Sequence, residues 1–422
     1  MADDSEQVGG NAWGDSISEA RQAELRELFE RQKAWVAQPD ATRGDSVFKG
    51  VQLTGADVYW LAEASGRDEF GGLPNLHLEQ ATLSSAQLEK ADLRRAQLKG
   101  AYLVWAHLDG ADLRRVQLEG ANLYEAQLEG ANLFGAQLEE ANLGAAQLKR
   151  AYLGVAHLEE AILVESHLEE AILEEAQLKR ADLRRVQLEG ANLFGAHLEG
   201  ADLTSATFDK TSRLKEAVLT DALFDQVTYD GVNLTGVDWS LVPVLGDELT
   251  ARQRKGTDGR RKDRTQRLDE FRAAVRANRV LAVTLRSQGM SEDADRYAYR
   301  AQVLQRTVLR LQGKRLAAVG SWLLDFISGY GYAPLRSLAT YVIVILGFAV
   351  AYRLLGNNVT PPLGPLDAVV FSVTSFHGRG FSPGEVVSLH NPLTVLAAME
   401  AVLGLLIEIT FIATFTQRFF AR

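Results

Sequence analysis

The stretch ANLYEAQLEGANLFGAQLEEANLGAAQLKRAYLGVAHLEE, residues 121–160, repeats a five-residue unit with alanine first and leucine third. Every fifth residue from Leu78 to Leu203 is leucine, and Phe208 follows. The residue two before each leucine is nearly always alanine, and its exceptions remain small, as at Val116, Ser166 and Val186. Any fold of this chain has to satisfy that strict internal period.

A five-residue period fits neither a straight helix nor a straight strand. A helix turns about 100° per residue, so leucines five apart would drift around all of its sides. A strand alternates its faces at every residue, so leucines five apart would point to opposite faces in turn. The period instead predicts a chain that turns a corner every five residues, with the small residue and the leucine inside and the coils stacked as a solenoid.

The units have the form A(D/N)Lxx, as in Ala91-Asp92-Leu93, Ala121-Asn122-Leu123 and Ala191-Asn192-Leu193. These units resemble the pentapeptide-repeat family. The resemblance implies a right-handed quadrilateral β-helix, which we assign to residues 48–245. About 27 consecutive units at four per coil then give roughly seven coils, or about 33 Å at the spacing between strands.

Two kinds of unit alternate along the repeats. Asp, Asn, Tyr or Ile precedes one leucine, and Gln or His precedes the next, as at Gln87, Gln97, His107 and Gln117. On a four-sided coil the two kinds occupy opposite pairs of faces, and like residues are expected to stack in ladders.

The period is weaker at both ends of the repeats. It begins with Leu53 and Val58 and breaks over residues 65–75. After an irregular stretch over residues 210–216, a second block has its apolar positions at Leu219, Phe224, Tyr229, Leu234 and Trp239. Residues 1–47 are expected to cap the solenoid with a helix over 16–37, which would begin at Ser16 and bury Leu25, Leu28, Phe29 and Trp35.

Composition limits the classes of function. The chain has 422 residues, too many for one core, and a net charge of −10, which argues against a nucleic-acid partner. It has no cysteine, so disulfides, thiolate metal sites and cysteine nucleophiles are excluded. The first residues, MADDSEQVGG, do not resemble a signal peptide. We therefore expect the N-terminal region in the cytoplasm.

Helices are expected after the repeats. Residues 246–264 are basic and polar, and we interpret them as a mobile linker. Residues 265–328 are expected to form a helical hairpin and an interfacial helix. Gly289 separates the first two helices, Ser291 would cap the second, and the apolar stripe of the third would lie on a membrane surface.

Residues 329–422 are assigned to a membrane domain with two spans. The runs over 338–355 and 395–415 each have about the length that crosses a ~30 Å hydrocarbon core. Basic residues flank the outer ends of both runs, whereas Arg379 is the one strong base between them. The positive-inside rule then predicts a multi-pass protein of the inner membrane with both termini in the cytoplasm.

Between the spans, residues 366–376 are apolar but too short to cross, and HGRGFSPG follows, which is typical of a re-entrant helix and filter loop. Over residues 330–422 the chain resembles the two-span ion-channel family related to potassium channels, in a subgroup with pentapeptide repeats. Phe371-Ser372-Val373-Thr374-Ser375-Phe376 and Ala398-Met399-Glu400-Ala401-Val402-Leu403-Gly404 carry the resemblance. It implies a filter in the loop and a flexible glycine at Gly404.

Two registers align this loop with the family motif TVGYGD. One sets Phe376-His377-Gly378-Arg379-Gly380 against TVGYG, and the other sets Gly380-Phe381-Ser382-Pro383 against GYGD. Glycine suits such a filter because its backbone needs conformations that a Cβ penalises. The candidate filter and loop residues are Thr374, Ser375, Phe376, His377, Gly378, Arg379, Gly380, Phe381 and Ser382. An ordinary turn between two anchoring helices is the alternative.

Charged residues near the spans allow several interpretations. Glu408 lies deep in the second span, where a carboxylate is expensive and usually faces water or a partner, so Gly404 and Glu408 are the candidates for pore lining or gating. Glu400 is interpreted as an interface residue. Arg379 favours anions, pairs with Glu385, or is exposed. The histidines of the repeats occupy the same outward position as Gln, so a surface ladder is favoured over a metal site.

The resulting hypothesis is a homotetrameric pore-loop channel with a cytoplasmic repeat domain. Four chains are needed because each supplies one loop to a common axis. Monovalent cations are the expected permeant ions, with anions possible because of Arg379. The lipid bilayer and a protein partner of the solenoid complete the expected partners. No enzymatic activity and no cofactor are expected. The alternative is a non-conducting, membrane-anchored scaffold that binds a partner protein.

Overall fold

The structure is a computed structural model that describes residues 17–38, 46–68, 72–73, 76–256, 258–332, 334–355, 364–378 and 392–419. The chain divides into two compact units, residues 1–294 and 295–422. Its helices are α1 (Glu19–Val36), α2 (Gly55–Ser65), α3 (Gly246–Arg252), α4 (Arg264–Ser287), α5 (Ser291–Leu311), α6 (Arg315–Ser328), α7 (Pro334–Leu355), α8 (Pro365–Phe376) and α9 (Pro392–Phe419). Two short parallel strands, β1 (Thr207–Asp209) and β2 (Thr228–Asp230), lie in the repeats.

The repeats form coils of twenty residues. Parallel β-bridges join each second position of a unit to the residue twenty later, so Asn122 pairs with Asn142 and Gln127 with Gln147. Four such ladders run along the repeats, and each keeps one kind of unit, as the alternation predicts. The leucines from Leu78 to Leu203 are at most 2% exposed. Leucine and the small residue therefore fill the interior, as expected.

Each five-residue unit is closed by a tight turn. The amide of Ala146 donates to the carbonyl of Leu143 at 3.0 Å, and the same bond recurs in successive units. The fifth residue of the unit has a positive φ, as at Lys90 (57°) and Gly100 (64°). Gly is common at this position because a residue with a Cβ is strained there.

One extra residue is accommodated between the two blocks of repeats. Bridges that cross this point join residues 21 apart, such as Asn192 and Arg213, and later ones return to 20. Asp209 organises the enlarged corner, since its carboxylate accepts hydrogen bonds from the amides of Gly190 at 2.9 Å and of Thr211 and Ser212 at 3.0 Å. The Thr211 hydroxyl and these amides hold the pKa of Asp209 well below its usual range. The extra residue therefore leaves the ladders in phase.

The start of the repeats differs from the prediction. Ser18, rather than Ser16, caps α1, because the Ser18 hydroxyl accepts from the amide of Arg21 at 3.2 Å; Ser16 lies outside the described residues. Val58 is buried in helix α2 and does not belong to a repeat unit. Thr54 and Asp57 form a capping box that starts helix α2 between Leu53 and Val58. The five-residue spacing of Leu53 and Val58 is therefore fortuitous.

The segment interpreted as a mobile linker contains helix α3. Asp247 in its first turn accepts from the amides of Phe224 at 2.7 Å and Asp225 at 3.1 Å, and so ties α3 to the repeats. Further on, Lys262 is buried, and its amine lies 2.7 Å from Glu270. The basic composition of this segment did not reveal the contacts of Asp247 and Lys262. The two helices expected next are α4 and α5, and α4 is capped by Asp263.

In the second unit, α6 ends at Ser328, the last residue of the segment predicted to be helical, and its apolar residues Leu316, Val319, Trp322 and Phe326 are exposed. Asp325 on its other side accepts from Tyr299 Oη and Arg306 Nη1, both at 3.0 Å, and lies 3.4 Å from Arg336 Nη1. These contacts join α5, α6 and α7. Helices α7 and α9 are long and apolar enough to cross a membrane, over Leu335–Leu355 and Pro392–Ile412.

Candidate functional site

The short apolar helix α8 packs against both long helices. Phe376 at its end lies in a cluster with Ile345 of α7 and Ile407 of α9. A second cluster joins Tyr352 of α7, Ala368 of α8 and Leu393 of α9. The region predicted to hold the filter helix is therefore a three-helix arrangement, with α8 bounded by Pro365 at its first turn.

A polar contact lies inside this apolar packing. The Ser372 hydroxyl is fully buried, 2.9 Å from the carbonyl of Ile345, and it also contacts the carboxyl of Glu400. Glu400 itself is 0% exposed. Its interpretation as an interface residue is therefore wrong within this unit, because Glu400 joins α9 to α8 from the inside.

Two more buried groups adjoin Glu400. The hydroxyl of Tyr352 lies beside the Glu400 carboxyl and the Ser375 hydroxyl. The ring of Tyr352 meets that of Phe371 edge-on at 4.6 Å between centroids. The Tyr352 hydroxyl, the Ser375 hydroxyl and one Glu400 oxygen have no hydrogen-bond partner among the described residues. Buried polar groups normally find partners, and these three groups are exceptions inside an otherwise apolar three-helix interior.

Gly404 is a site of close approach between α8 and α9. A Cβ built on Gly404 would lie 2.1 Å from the carbonyl oxygen of Phe376. Glycine lets the backbone of α9 touch the last turn of α8. The resemblance implies flexibility at Gly404, and the structure adds this second reason for a glycine there.

His377, the C-cap residue of α8, connects α8 to α9. Its Nδ1 lies 2.7 Å from the carbonyl oxygen of Val373, and its Nε2 lies 3.2 Å from a carboxyl oxygen of Glu408. The Tyr341 hydroxyl of α7 is 3.5 Å from the same Nε2. Both side chains of the pair are partly exposed, at 40% for His377 and 36% for Glu408.

The structure brings some of the candidate residues together. Phe376, His377, Gly404 and Glu408 meet at the end of α8, and Gly378 follows with a φ of 68°. Thr374 donates to the carbonyl of Val370 within its own helix, and Ser375 is buried. The candidates Arg379, Gly380, Phe381 and Ser382 lie outside the described residues, so the choice between the two filter registers stays open.

The sequence named Ser372 only as part of the motif that carries the resemblance, and it assigned no role to Tyr341 or Tyr352. Each is a polar residue in an apolar helix, and this polarity was the sequence feature that could have indicated a buried contact. Polar groups in such helices usually face a partner. The sequence could not show which partner, since helix rotation and contact depend on packing.

The repeats contain one group that could hold a metal ion among the described residues. Glu139, His157 and Glu159 have ligand atoms within 4.8 Å of one another on adjacent coils. They belong to the outward ladders, where partly buried carboxylates stack because the coils repeat. The ladder interpretation of the histidines accounts for this cluster.

Comparison with known proteins concerns the repeats. Residues 73–100, 96–133, 151–186 and 181–212 match the model of the family described as pentapeptide repeats, in eight copies. No curated protein matches the chain.

Solved structures of repeat proteins are also similar. HetL, a pentapeptide-repeat protein involved in heterocyst differentiation regulation from Nostoc sp. strain PCC 7120, is 26% identical, with 44% of this chain and 94% of HetL covered and a TM-score of 0.25. Rfr23 from the cyanobacterium Cyanothece 51142 is 31% identical, with 29% and 90% covered and a TM-score of 0.24. Full-length QnrB1, a plasmid-mediated fluoroquinolone resistance protein, is 16% identical, with 37% and 90% covered and a TM-score of 0.16. The family match over residues 73–133 and 151–212 shows that this chain carries a pentapeptide-repeat domain.

Proposed function

We propose that this protein is a homotetrameric pore-loop channel that conducts monovalent cations across the inner membrane and carries its repeat domain in the cytoplasm. The observation that carries the proposal is helix α8. It has 12 residues, so it is about 18 Å long, whereas the hydrocarbon core is ~30 Å thick. Such an apolar helix, held between two spans, suits a re-entrant segment.

The surfaces of the spans support assembly. Only 22% of the α7 span and 17% of the α9 span are buried within the chain. Exposed apolar residues line α9, among them Val402, Leu405, Ile409 and Ile412. Lipid and other copies of the chain are the partners such surfaces fit, and four copies would place one loop each around an axis.

Charge at the end of α8 supports cations as the permeant ions. Carbonyl groups at a helix C-terminus carry partial negative charge, and Glu408 lies next to that end. Four copies of this arrangement would raise the local concentration of cations. Because Arg379 is positively charged, anion conduction is the competing outcome. The flanking basic residues favour cytoplasmic termini.

Ion flux tests the proposal. The full chain in liposomes is expected to pass potassium down its gradient, with a reversal potential that ignores chloride. Glu408→Gln should lower the flux because it removes a ring of charge. Glu292→Gln removes one charge from an exposed residue of α5 and is the matched control. A reversal potential that follows chloride and loses this dependence in Arg379→Gln would show an anion filter instead.

We further propose that the coils are right-handed and four-sided, which the four ladders support.

One observation favours the scaffold as a second candidate. Tyr102, Trp105 and Tyr124 lie on neighbouring coils and are 40–53% exposed. Aromatic residues are enriched in protein interfaces, so this patch fits a protein partner of the solenoid. Absence of flux, with a stable full chain, would favour this alternative. The proposal assigns no catalytic step to the chain.

A further inference from the structure

A cleft of about 700 Å³ lies on the surface of the repeats, next to the corner that accommodates the extra residue. Four successive coils line it, and their units contribute the fourth-position residues Glu174, Phe194, Lys215 and Thr235. Adjacent coils are about 4.8 Å apart, so about 10 Å of the stack separates Glu174 from Lys215. Small-molecule sites usually have volumes of about 300–1,000 Å³. The cleft therefore suits a ligand that spans several coils.

The third of these coils makes one part of the cleft basic. Lys210, Arg213 and Lys215 all belong to it, line the cleft and are exposed. Asn233 on the fourth coil adds a donor. Its side-chain oxygen already accepts from the amide of Thr235 at 2.9 Å and from the Thr235 hydroxyl at 2.7 Å, which leaves the NH₂ group to donate. Cations and N–H groups together favour an anion with several acceptor oxygens, such as a phosphate group.

These positive charges lack the compensation found elsewhere on the repeats. In the units of Arg94 and Arg184, the arginine pairs with an aspartate two residues earlier, at 2.8 and 2.6 Å. In the cleft, Arg213 takes the place of that aspartate before Lys215, so two like charges stand where those units have an ion pair. Lys215 lies 3.4 Å from Glu216, but both side chains are more than half exposed, so this contact is weak. A bound anion would therefore stabilise this unit.

Phe194 and Glu174 give the rest of the cleft a different chemistry. The centre of the Phe194 ring lies 5.7 Å from the Lys215 amine, so an aromatic surface adjoins the basic part. On the coil before it, Glu174 accepts from the side-chain nitrogen of Asn192 at 2.6 Å. A carboxylate accepts several hydrogen bonds, so Glu174 is able to accept a further N–H group from a ligand. The stack therefore presents partners for a phosphate, a ring and an N–H donor in that order.

We propose that this cleft binds a nucleotide. The phosphate groups lie at Lys210, Arg213 and Lys215, the base packs against Phe194, and an amino group of the base donates to Glu174. Arginine and lysine suit phosphate oxygens, and contact with an aromatic side chain is a common way to bind a base. An inorganic anion would use only the basic part, and a lipid headgroup supplies a phosphate but no planar ring. Binding here does not require the chain to conduct ions.

Calorimetric titration of the full chain in nanodiscs of neutral lipid tests the proposal, with ADP as the probe. We expect saturable binding that Arg213→Gln and Lys215→Gln each weaken about tenfold, since each removes a charged partner of a phosphate. Lys99→Gln is the matched control, because Lys99 is an exposed lysine at the same position of its own unit and does not line the cleft. Circular dichroism should show the same β signal in all variants. No binding of ADP, or binding that both cleft variants leave unchanged, would overturn the proposal.

The ligand class is tested with pyrophosphate and a short-chain phosphatidic acid as further probes. Phe194→Leu and Glu174→Ala should each weaken ADP binding about tenfold, whereas neither should weaken the binding of pyrophosphate. Wild-type affinity for ADP in both variants would indicate a site for bare anions and so refute a nucleotide. Binding of phosphatidic acid but not of ADP, lost in Arg213→Gln, would refute it in favour of a lipid headgroup.

Discussion

Replacement of Gly404 by alanine is expected to disturb the end of α8. A Cβ there would lie 2.1 Å from the Phe376 carbonyl oxygen, whereas Cβ atoms essentially never come closer than 3.0 Å to another atom. Helix α8 or α9 must therefore move by about 0.9 Å, and neither partner is a flexible side chain. Overpacking of this kind costs about 1–3 kcal/mol. The shift falls directly before His377 and the loop. We therefore expect the fractional loss of potassium flux to exceed the fractional loss of unfolding free energy.

The assay compares Gly404→Ala with Gly347→Ala in α7. A Cβ at Gly347 meets nothing within 4 Å, and alanine is the better helix former by up to about 1 kcal/mol, so this control should keep or gain stability. Thermal unfolding in detergent and potassium flux in liposomes are measured for both variants. Wild-type flux and melting temperature in Gly404→Ala would refute the close approach of the two helices.

Three further predictions concern the rest of the chain. Leu143→Lys places an unpaired charge in the solenoid interior and should cost more than about 4 kcal/mol, whereas the exposed Gln147→Lys should be nearly neutral; equal melting temperatures would contradict the inward assignment. Deletion of residues 315–422, which removes α6 with its exposed apolar residues as well as the two spans, should leave a β-rich protein that stays in solution after ultracentrifugation, because the repeats bury their own leucines; sedimentation with membranes would count against this division. Burial and the nearby Asp225 raise the pKa of Asp247 to about 6. Between about pH 4 and 6, the folded state therefore keeps a proton on Asp247 that the unfolded state has already lost. The free energy of unfolding declines as pH rises through that window. Relative to Asp247→Asn, the parent should lose about 1 kcal/mol between about pH 5 and 7 in denaturant titrations, and a constant difference would show that the carboxyl is not buried.

The repeats were predictable because one physical constraint recurs 27 times over. A leucine at a fixed five-residue spacing has few ways to be buried, so period and interior follow from the sequence alone. Helix α2 was missed because Leu53 and Val58 also satisfy that spacing, while the capping box of Thr54 and Asp57 decides the local structure. The folded segment around α3 was missed for a related reason: the charge of Lys262 suggested exposure, but its partner Glu270 is supplied by another element.

The candidate site was only partly predictable. Helix lengths and apolar runs located α7, α8 and α9 to within a few residues, and Glu408 stood out as a charge in an apolar run. The contacts of Glu400 with Ser372 and of Glu408 with His377 depend on how three helices rotate against one another. Apolar helices reveal little of this rotation in sequence, because most of their faces are apolar. The sequence alone therefore does not determine how α7, α8 and α9 pack.

The twenty-residue coil also constrains how such a chain can evolve. Duplication of twenty residues, or a multiple of them, returns every side chain to its own ladder and lengthens the stack by about 4.8 Å per coil. Loss or gain of five residues would instead set Gln and His units against Asp and Asn units along all later coils. Single-residue changes in length survive only where a corner can absorb them, as Asp209 does between Gly190 and Ser212. Lineages of this protein should therefore differ in length by whole coils, with rare odd insertions confined to corners that carry such an acceptor.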